Sequence, residues 1–278
     1  MSSLLRADIY RMRKNRLTFV SLILVLGFPV LITLMYLGIQ ALFSLDADIG
    51  EAMDGSVQLF SANSLISSAY SLTNNIGLVI PAFAGILVCT DYSNGTLRNK
   101  VIAGNKRTAI YFSHLVTSIL FSVVMITIYA AVTTILALIF FKFNKEGLEP
   151  LVREIIYFVV NGTLSFVFMA TVSTMLAMVL RSIAPTLIFT IVLAIVLMTA
   201  NSIIGILNYE KYKYVVYFIP TFCSNFFNLQ GLSLINIFSG TAAESKDLMF
   251  AEGMASYLFF GAVNTMIGLL VFNRRDIK

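Results

Sequence analysis

The chain has 278 residues, 58% of them hydrophobic and 12% charged, with a net charge of +5. A soluble domain carries about 25% charged residues, so a water-soluble globular protein is excluded. The single histidine also argues against a His-based metal site and against a histidine pair.

Residues 1–16 read as an amphipathic helix on the cytoplasmic surface. Leu5, Ile9 and Met12 recur at helical spacing, while Arg6, Arg13 and Lys14 lie elsewhere on the wheel. A disordered basic tail is the simpler alternative. Six nearly charge-free stretches follow, at 17–43, 72–90, 109–141, 155–180, 186–207 and 253–272, with no Asp, Glu, Lys or Arg and with His114 the one histidine. A bilayer core about 30 Å thick needs about 20 apolar residues per helix, so these read as six transmembrane helices. The first run is too long for the apolar core of a cleavable signal peptide. It contains Gly27-Phe28-Pro29, which tends to kink a spanning helix.

The loop at 44–71 is acidic, with Asp46, Asp48, Glu51 and Asp54 and no Lys or Arg. The third run would reach about 50 Å as a helix, so it tilts or projects into the cytoplasm. The turn at 181–185 is tight. The segment 208–252 is too long for a structureless connection. Its apolar part, 214–238, is broken by Pro220, Ser224, Asn225, Asn228 and Gly231. We read it as short re-entrant outer helices before the last span.

Basic residues set the orientation. Arg6, Arg11, Arg13, Lys14 and Arg16 precede the first span. Arg98, Lys100, Lys106 and Arg107 lie between spans two and three, Arg181 follows span four, and Arg274, Arg275 and Lys278 end the chain. Lys and Arg are retained on the cytoplasmic side, so both termini are read as cytoplasmic. No basic stripe is interleaved with exposed aromatics, so nucleic acid is not an expected partner. Tyr36, Tyr70, Tyr92, Tyr111, Tyr157, Tyr209, Tyr212 and Tyr257 fall near predicted helix ends and read as an interfacial belt. Cys89 and Cys223 are placed on opposite sides, which argues against their pairing. Gly77, Ala84 and Gly85 are small residues suited to close helix packing.

Catalytic constellations are missing. No span carries Asp or Glu, which argues against a carboxylate proton relay. No G-x-x-x-x-G-K-[ST] sequence occurs, so the chain does not hold ATP through a P-loop. The sequons at Asn94 and Asn161 fall in a predicted cytoplasmic loop and a span, and read as coincidence.

The segment 91–107 is different. Asp91 is placed to cap a helix and Gly95 permits a sharp turn. Leu97, Val101 and Ile102 form an apolar face, with Arg98 and Lys100 off it. Gly104 ends the helix. This is an amphipathic helix lying along the membrane between two spans. It either transmits force from a partner or only sets topology.

The pattern Asp91, Gly95, Thr96, Arg98, Gly104 and Arg107 resembles the coupling loop of ABC-2-type transporter permeases. So do the amphipathic start, the six spans, the broken segment before the last span and the ending Phe272-Asn273-Arg274-Arg275-Asp276. Asp91 stands where Glu is commoner in that family, and the turn 181–185 offers little second docking surface. The resemblance implies a single permease domain over 1–278 in the plasma (inner) membrane, bacterial in type. It also implies a homodimer or heterodimer with a second permease, surrounded by membrane lipids. Two separate ABC ATPase subunits would bind ATP and Mg, while this chain carries no cofactor or metal. Under it, Asp91, Gly95, Thr96, Leu97, Arg98, Val101, Gly104 and Arg107 form the ATPase-coupling site. Asn161, Asn201 and Asn264, polar residues inside spans, either bond between helices or line a translocation path. The expected function is ATP-driven export of a hydrophobic or amphipathic compound such as a peptide antibiotic, drug or lipid-like molecule. An ATP-independent carrier or channel is the alternative, and an embedded enzyme fits least.

Overall fold

The computed structural model describes residues 2–45, 62–70, 75–141, 151–206 and 244–274. All nine described elements are helices: α1 (Ser2–Lys14), α2 (Arg16–Leu45), α3 (Ala62–Ala69), α4 (Asn75–Ser93), α5 (Thr96–Ile102), α6 (Arg107–Phe140), α7 (Leu151–Leu180), α8 (Ile183–Ile206) and α9 (Glu244–Arg274). Four stretches are long and apolar enough to cross a membrane: Arg16–Leu42, Arg107–Phe140, Val159–Leu180 and Gly253–Arg274. Val79–Ser93 and Ile183–Leu197 are shorter apolar helices. The protein is therefore an all-α, multi-pass membrane protein. The re-entrant helices expected within 214–238 lie outside the described residues, as does Cys223.

Helix α7 is the hub and packs against α4, α6, α8 and α9. Its apolar window is 61% buried, against 22–33% for the other three long helices, so those three turn most of their surface to lipid. Phe166, Met169 and Val172 of α7 meet Phe121, Ile126 and Tyr129 of α6 and Ile80 and Ala84 of α4 in the main core. A second cluster closes the end of the bundle that carries α1 and α5. There Leu97 packs with Ile110, Tyr111, Ala177, Met178 and Phe272. Exposed Leu31, Leu34 and Met35 on α2, Phe189 and Val196 on α8 and Phe259 and Met266 on α9 form a surface that only a membrane or a partner covers.

Hydroxyls inside the helices return to their own backbone. Thr133 Oγ1 donates to the Tyr129 carbonyl at 2.8 Å, Thr174 to Ala170 at 2.8 Å and Thr190 to Thr186 at 2.7 Å. Such bonds satisfy polar groups where no water is present. Small residues bring α4 close to its neighbours. A Cβ on Gly85 would lie 3.1 Å from Thr186 Cγ2 and 3.3 Å from Ser173 Cβ, and Ala84 is fully buried.

Two expectations are corrected. The acidic loop at 44–71 contains α3, because Ala62 and Leu65 bury against Ala137 and Phe141. Two residues of the tyrosine belt sit in the bundle instead: Tyr111 is fully buried against Phe272, and Tyr257 packs on Phe168.

A close approach that a substitution can test is at Gly162, where a Cβ would lie 2.7 Å from Tyr70 Cβ. That tyrosine atom is next to the backbone and cannot swing away. We predict that Gly162→Ala costs about 1–3 kcal/mol, read as a lower thermal midpoint in detergent. At Gly261 the nearest atom is 3.9 Å from the built Cβ, so Gly261→Ala should leave the midpoint unchanged or raise it.

Candidate functional site: a buried charge cluster beneath α5

The segment between α4 and α6 is shaped by two glycines. Gly95, at φ 66°, precedes α5, and Gly104, at φ 82°, follows it. Left-handed backbone carries little cost for glycine alone. The Gly104 N–H closes the helix on the Val101 carbonyl at 2.9 Å. The result is a single seven-residue helix set between two spans. Leu97 anchors it in the core, 1% exposed, while Arg98 and Asn99 face outward and Ile102 is 73% exposed.

Beneath α5 lies a charge cluster drawn from three separate parts of the chain. Asp8 of α1 is 4% exposed. Its Oδ1 accepts from Lys100 Nζ at 2.6 Å and its Oδ2 from Ser113 Oγ at 2.6 Å. Arg11, one turn on, pairs with Asp91 at the end of α4 and donates to Thr96 Oγ1 at 3.0 Å. Thr96 in turn donates to the Asp91 carbonyl at 2.9 Å. Lys100 Nζ stands 3.7 Å from Asp91 Oδ2 and 3.0 Å from His114 Nε2. An ammonium has no acceptor, so at that distance His114 accepts on Nε2.

The cluster has the composition of a cation site. One ligand atom each from Asp8, Asp91 and His114 lies within 4.8 Å of the others. The Lys100 ammonium, on its flexible stem, lies within 4 Å of all three. Burial alone would raise the Asp8 pKa. Attraction to the His114 ring when that ring is charged, and the hydrogen bonds from Lys100 and Ser113, outweigh it and hold the Asp8 carboxyl below its ordinary value.

The bend between α1 and α2 is also built locally. Asn15 Oδ1 accepts from the Leu17 N–H at 3.0 Å, an N-cap for α2, and Thr18 Oγ1 donates back to the Met12 carbonyl at 2.7 Å.

Of the eight residues expected in the coupling loop, the structure gathers Asp91 and Thr96 into the charge cluster. Leu97 and Val101 pack into the core beneath α5. Gly95 and Gly104 bound it and Arg98 is on its outer face. Arg107 does something else: its Nη1 donates to the Asn273 carbonyl at 3.0 Å, tying the start of α6 to the end of α9. Asp91 does not cap a helix, since it lies inside α4 and α5 has no side-chain cap. Its oxygens are engaged by cations instead. The apolar face expected on α1 is displaced too. Leu4 and Asp8 are the buried residues, while Leu5, Ile9 and Met12 are half-buried. Asp8 and Ser113 were not singled out in the sequence, Arg11 and Lys100 read only as basic residues that set orientation, and His114 was noted only for lying in an otherwise charge-free run.

The three asparagines expected either to bond between helices or to line a path lie on other helices than this cluster. Asn161 of α7 is 1% exposed, and neither amide atom has a partner among the described residues. Asn264 is half-exposed on α9. Asn201 lies in α8, and its side chain is outside the described residues.

A family model described as "ABC-2 family transporter protein" matches residues 4–197. That range takes in the whole charge cluster and α5. A search of the curated proteins found no match.

Removing one partner of a buried ion pair leaves the other uncompensated. We predict that Asp8→Ala costs about 3 kcal/mol, and that Asp8→Ala with Lys100→Ala recovers much of that loss in the thermal midpoint. The pH sign follows from the lowered Asp8 pKa. Its stabilisation is present above about pH 4 and is lost as pH falls through the folded value. The midpoint gap between the native chain and Asp8→Asn should therefore be constant from pH 7 to about 5 and close below about 4.

Proposed function

Because the chain belongs to the ABC-2 transporter family, as a membrane permease component, we propose that it is the export-driving permease of an ATP-powered complex. It works as a homodimer, or paired with a second permease, on two ATPase subunits that hold ATP and Mg. Six spans with both termini cytoplasmic suit the distribution of basic residues. On this reading the complex sits in a plasma membrane of bacterial type, with α5 facing the cytoplasm.

The observation that carries this reading is the shape of α5. It is a short helix on two left-handed glycines, with Arg98 and Ile102 one turn apart and exposed. Such a pair offers an ATPase groove an ion-pairing group and an apolar knob. Its inner face is fixed by Leu97 to the core and by Lys100 to α1 and α6. A push on α5 therefore moves α1, α4 and α6 together. The apolar, Phe- and Met-rich bundle suits a hydrophobic or amphipathic cargo such as a peptide antibiotic, a drug or a lipid-like molecule, with Asn161, Asn201 and Asn264 as path-lining contacts.

Tagged protein, expressed with its native neighbours and purified in mild detergent, should bring down a near-stoichiometric P-loop ATPase by mass spectrometry. Recovery of the chain alone, even after crosslinking, would favour an ATP-independent carrier or channel. We further predict that Arg98→Glu and Gly95→Pro abolish ATP-dependent export at least about tenfold while leaving membrane insertion intact. Proline locks φ near about −65° and cannot take the left-handed conformation of Gly95, so the start of α5 and the Lys100 position are lost, while Arg98→Glu reverses the docking charge. Normal export by both variants would remove α5 from the coupling role.

A further inference from the structure

A cavity of about 400 Å³ opens beside the charge cluster, between α1, the start of α2, the end of α4 and the first turns of α6. Its floor is electrically balanced: the carboxylates of Asp8 and Asp91 are paired with Arg11, which lines the cavity, and with Lys100, which lies behind the lining. Its rim is not. Lys14 and Arg16 line it, both exposed, and among the described residues neither forms an ion pair. Lys14 is held at the rim over the Tyr10 ring, 4.7 Å from its centroid. One wall is apolar, Leu87 and Val88 of α4. The surplus of the cavity is thus two positive charges beside a hydrocarbon-like wall.

The depth of the cavity narrows the choice. The apolar stretch Arg16–Leu42 begins at its rim and Arg107–Phe140 passes along its wall. Its mouth therefore lies at the level of lipid headgroups, where chain leaves water for hydrocarbon. A basic pocket between helices at that level fits an anionic headgroup, with the acyl chains continuing along apolar helix surface. A soluble phosphate would gain from the rim charges but would leave the Leu87–Val88 wall uncovered.

We propose that this cavity is a binding site for one anionic phospholipid, its phosphate held by Lys14 and Arg16 and its glycerol end against Leu87 and Val88. The site is independent of the export reading, because it needs only the membrane and this chain. Its occupant touches the elbow between α1 and α2 and the floor that holds Lys100, so it bears on the seat of α5.

The test is native mass spectrometry of the full chain released from nanodiscs of equimolar phosphatidylglycerol and phosphatidylcholine. The native chain should retain one phosphatidylglycerol in preference to phosphatidylcholine. Lys14→Gln with Arg16→Gln should weaken that retention roughly twenty-five-fold, since each basic residue near the surface contributes about fivefold. Arg6→Gln with Arg13→Gln removes the same charge from exposed positions of α1 outside the cavity, and should change it less than about twofold. Equal losses in the two double variants would show diffuse surface attraction and overturn the site. So would equal retention of the two lipids. Displacement of the lipid by inorganic phosphate at millimolar concentration would show a free-anion site instead and overturn the lipid assignment.

Discussion

The seat of α5 depends on one buried ion pair, Lys100 with Asp8, at 2.6 Å. The two side chains are 10% and 2% exposed, so each would be costly to bury without the other. Desolvation sets the rule here. An ammonium at this depth must sit where carboxylates converge, and Asp8 and Asp91 supply that convergence from two different helices. Lys100 thus fixes the rotational setting of α5, which Leu97 alone, as an apolar plug, would leave free to roll.

Around that pair the bonding is layered. Ser113 takes the second oxygen of Asp8, Arg11 spans Asp91 and Thr96, and His114 accepts from Lys100. Every member is engaged at least twice or is enclosed by those that are. A polar network that is fully satisfied specifies one arrangement, whereas a partly satisfied one does not. The apolar layer behind it, Leu97 with Ile110, Tyr111 and Phe272, adds non-directional cohesion. Together they join three stretches that are distant in sequence: α1, the run from the end of α4 into the first turns of α6, and the last turn of α9.

What the sequence revealed and what it hid divide along the range of the interaction. The charge-free runs announce membrane helices because length and hydropathy are local properties. The turn glycines at 95 and 104 were legible for the same reason, since only the backbone conformation of one residue is at stake. Leu97 was found by helical spacing. The Asp8–Lys100 pair was not legible, because its members are 92 positions apart and each taken singly reads as an ordinary surface charge. Helix α1 shows the cost of that gap. Its wheel displays Leu5, Ile9 and Met12, yet a buried carboxylate, not the apolar stripe, decides which side faces the bundle. Asp91 was misread as a cap, since capping is a local inference and its partner, Arg11, comes from another helix. Tyr111 and Tyr257 went to the core because a ring near a helix end in sequence can still point inward.

One feature of α6 carries a mechanical meaning. Over 34 residues it contains neither glycine nor proline, whereas α2, α4, α7, α8 and α9 each contain at least one of them. Kinks in long helices concentrate at such residues, so α6 is a rod of about 51 Å without a hinge. The charge cluster grips one end, at Ser113 and His114, and α3 grips the other, at Ala137 and Phe141. A rod held this way turns about its middle, where Phe121, Ile126 and Tyr129 rest on α7. For a rigid, hinge-free rod resting on α7 as a fulcrum, a tilt at one end would be matched by a tilt of opposite direction at the other.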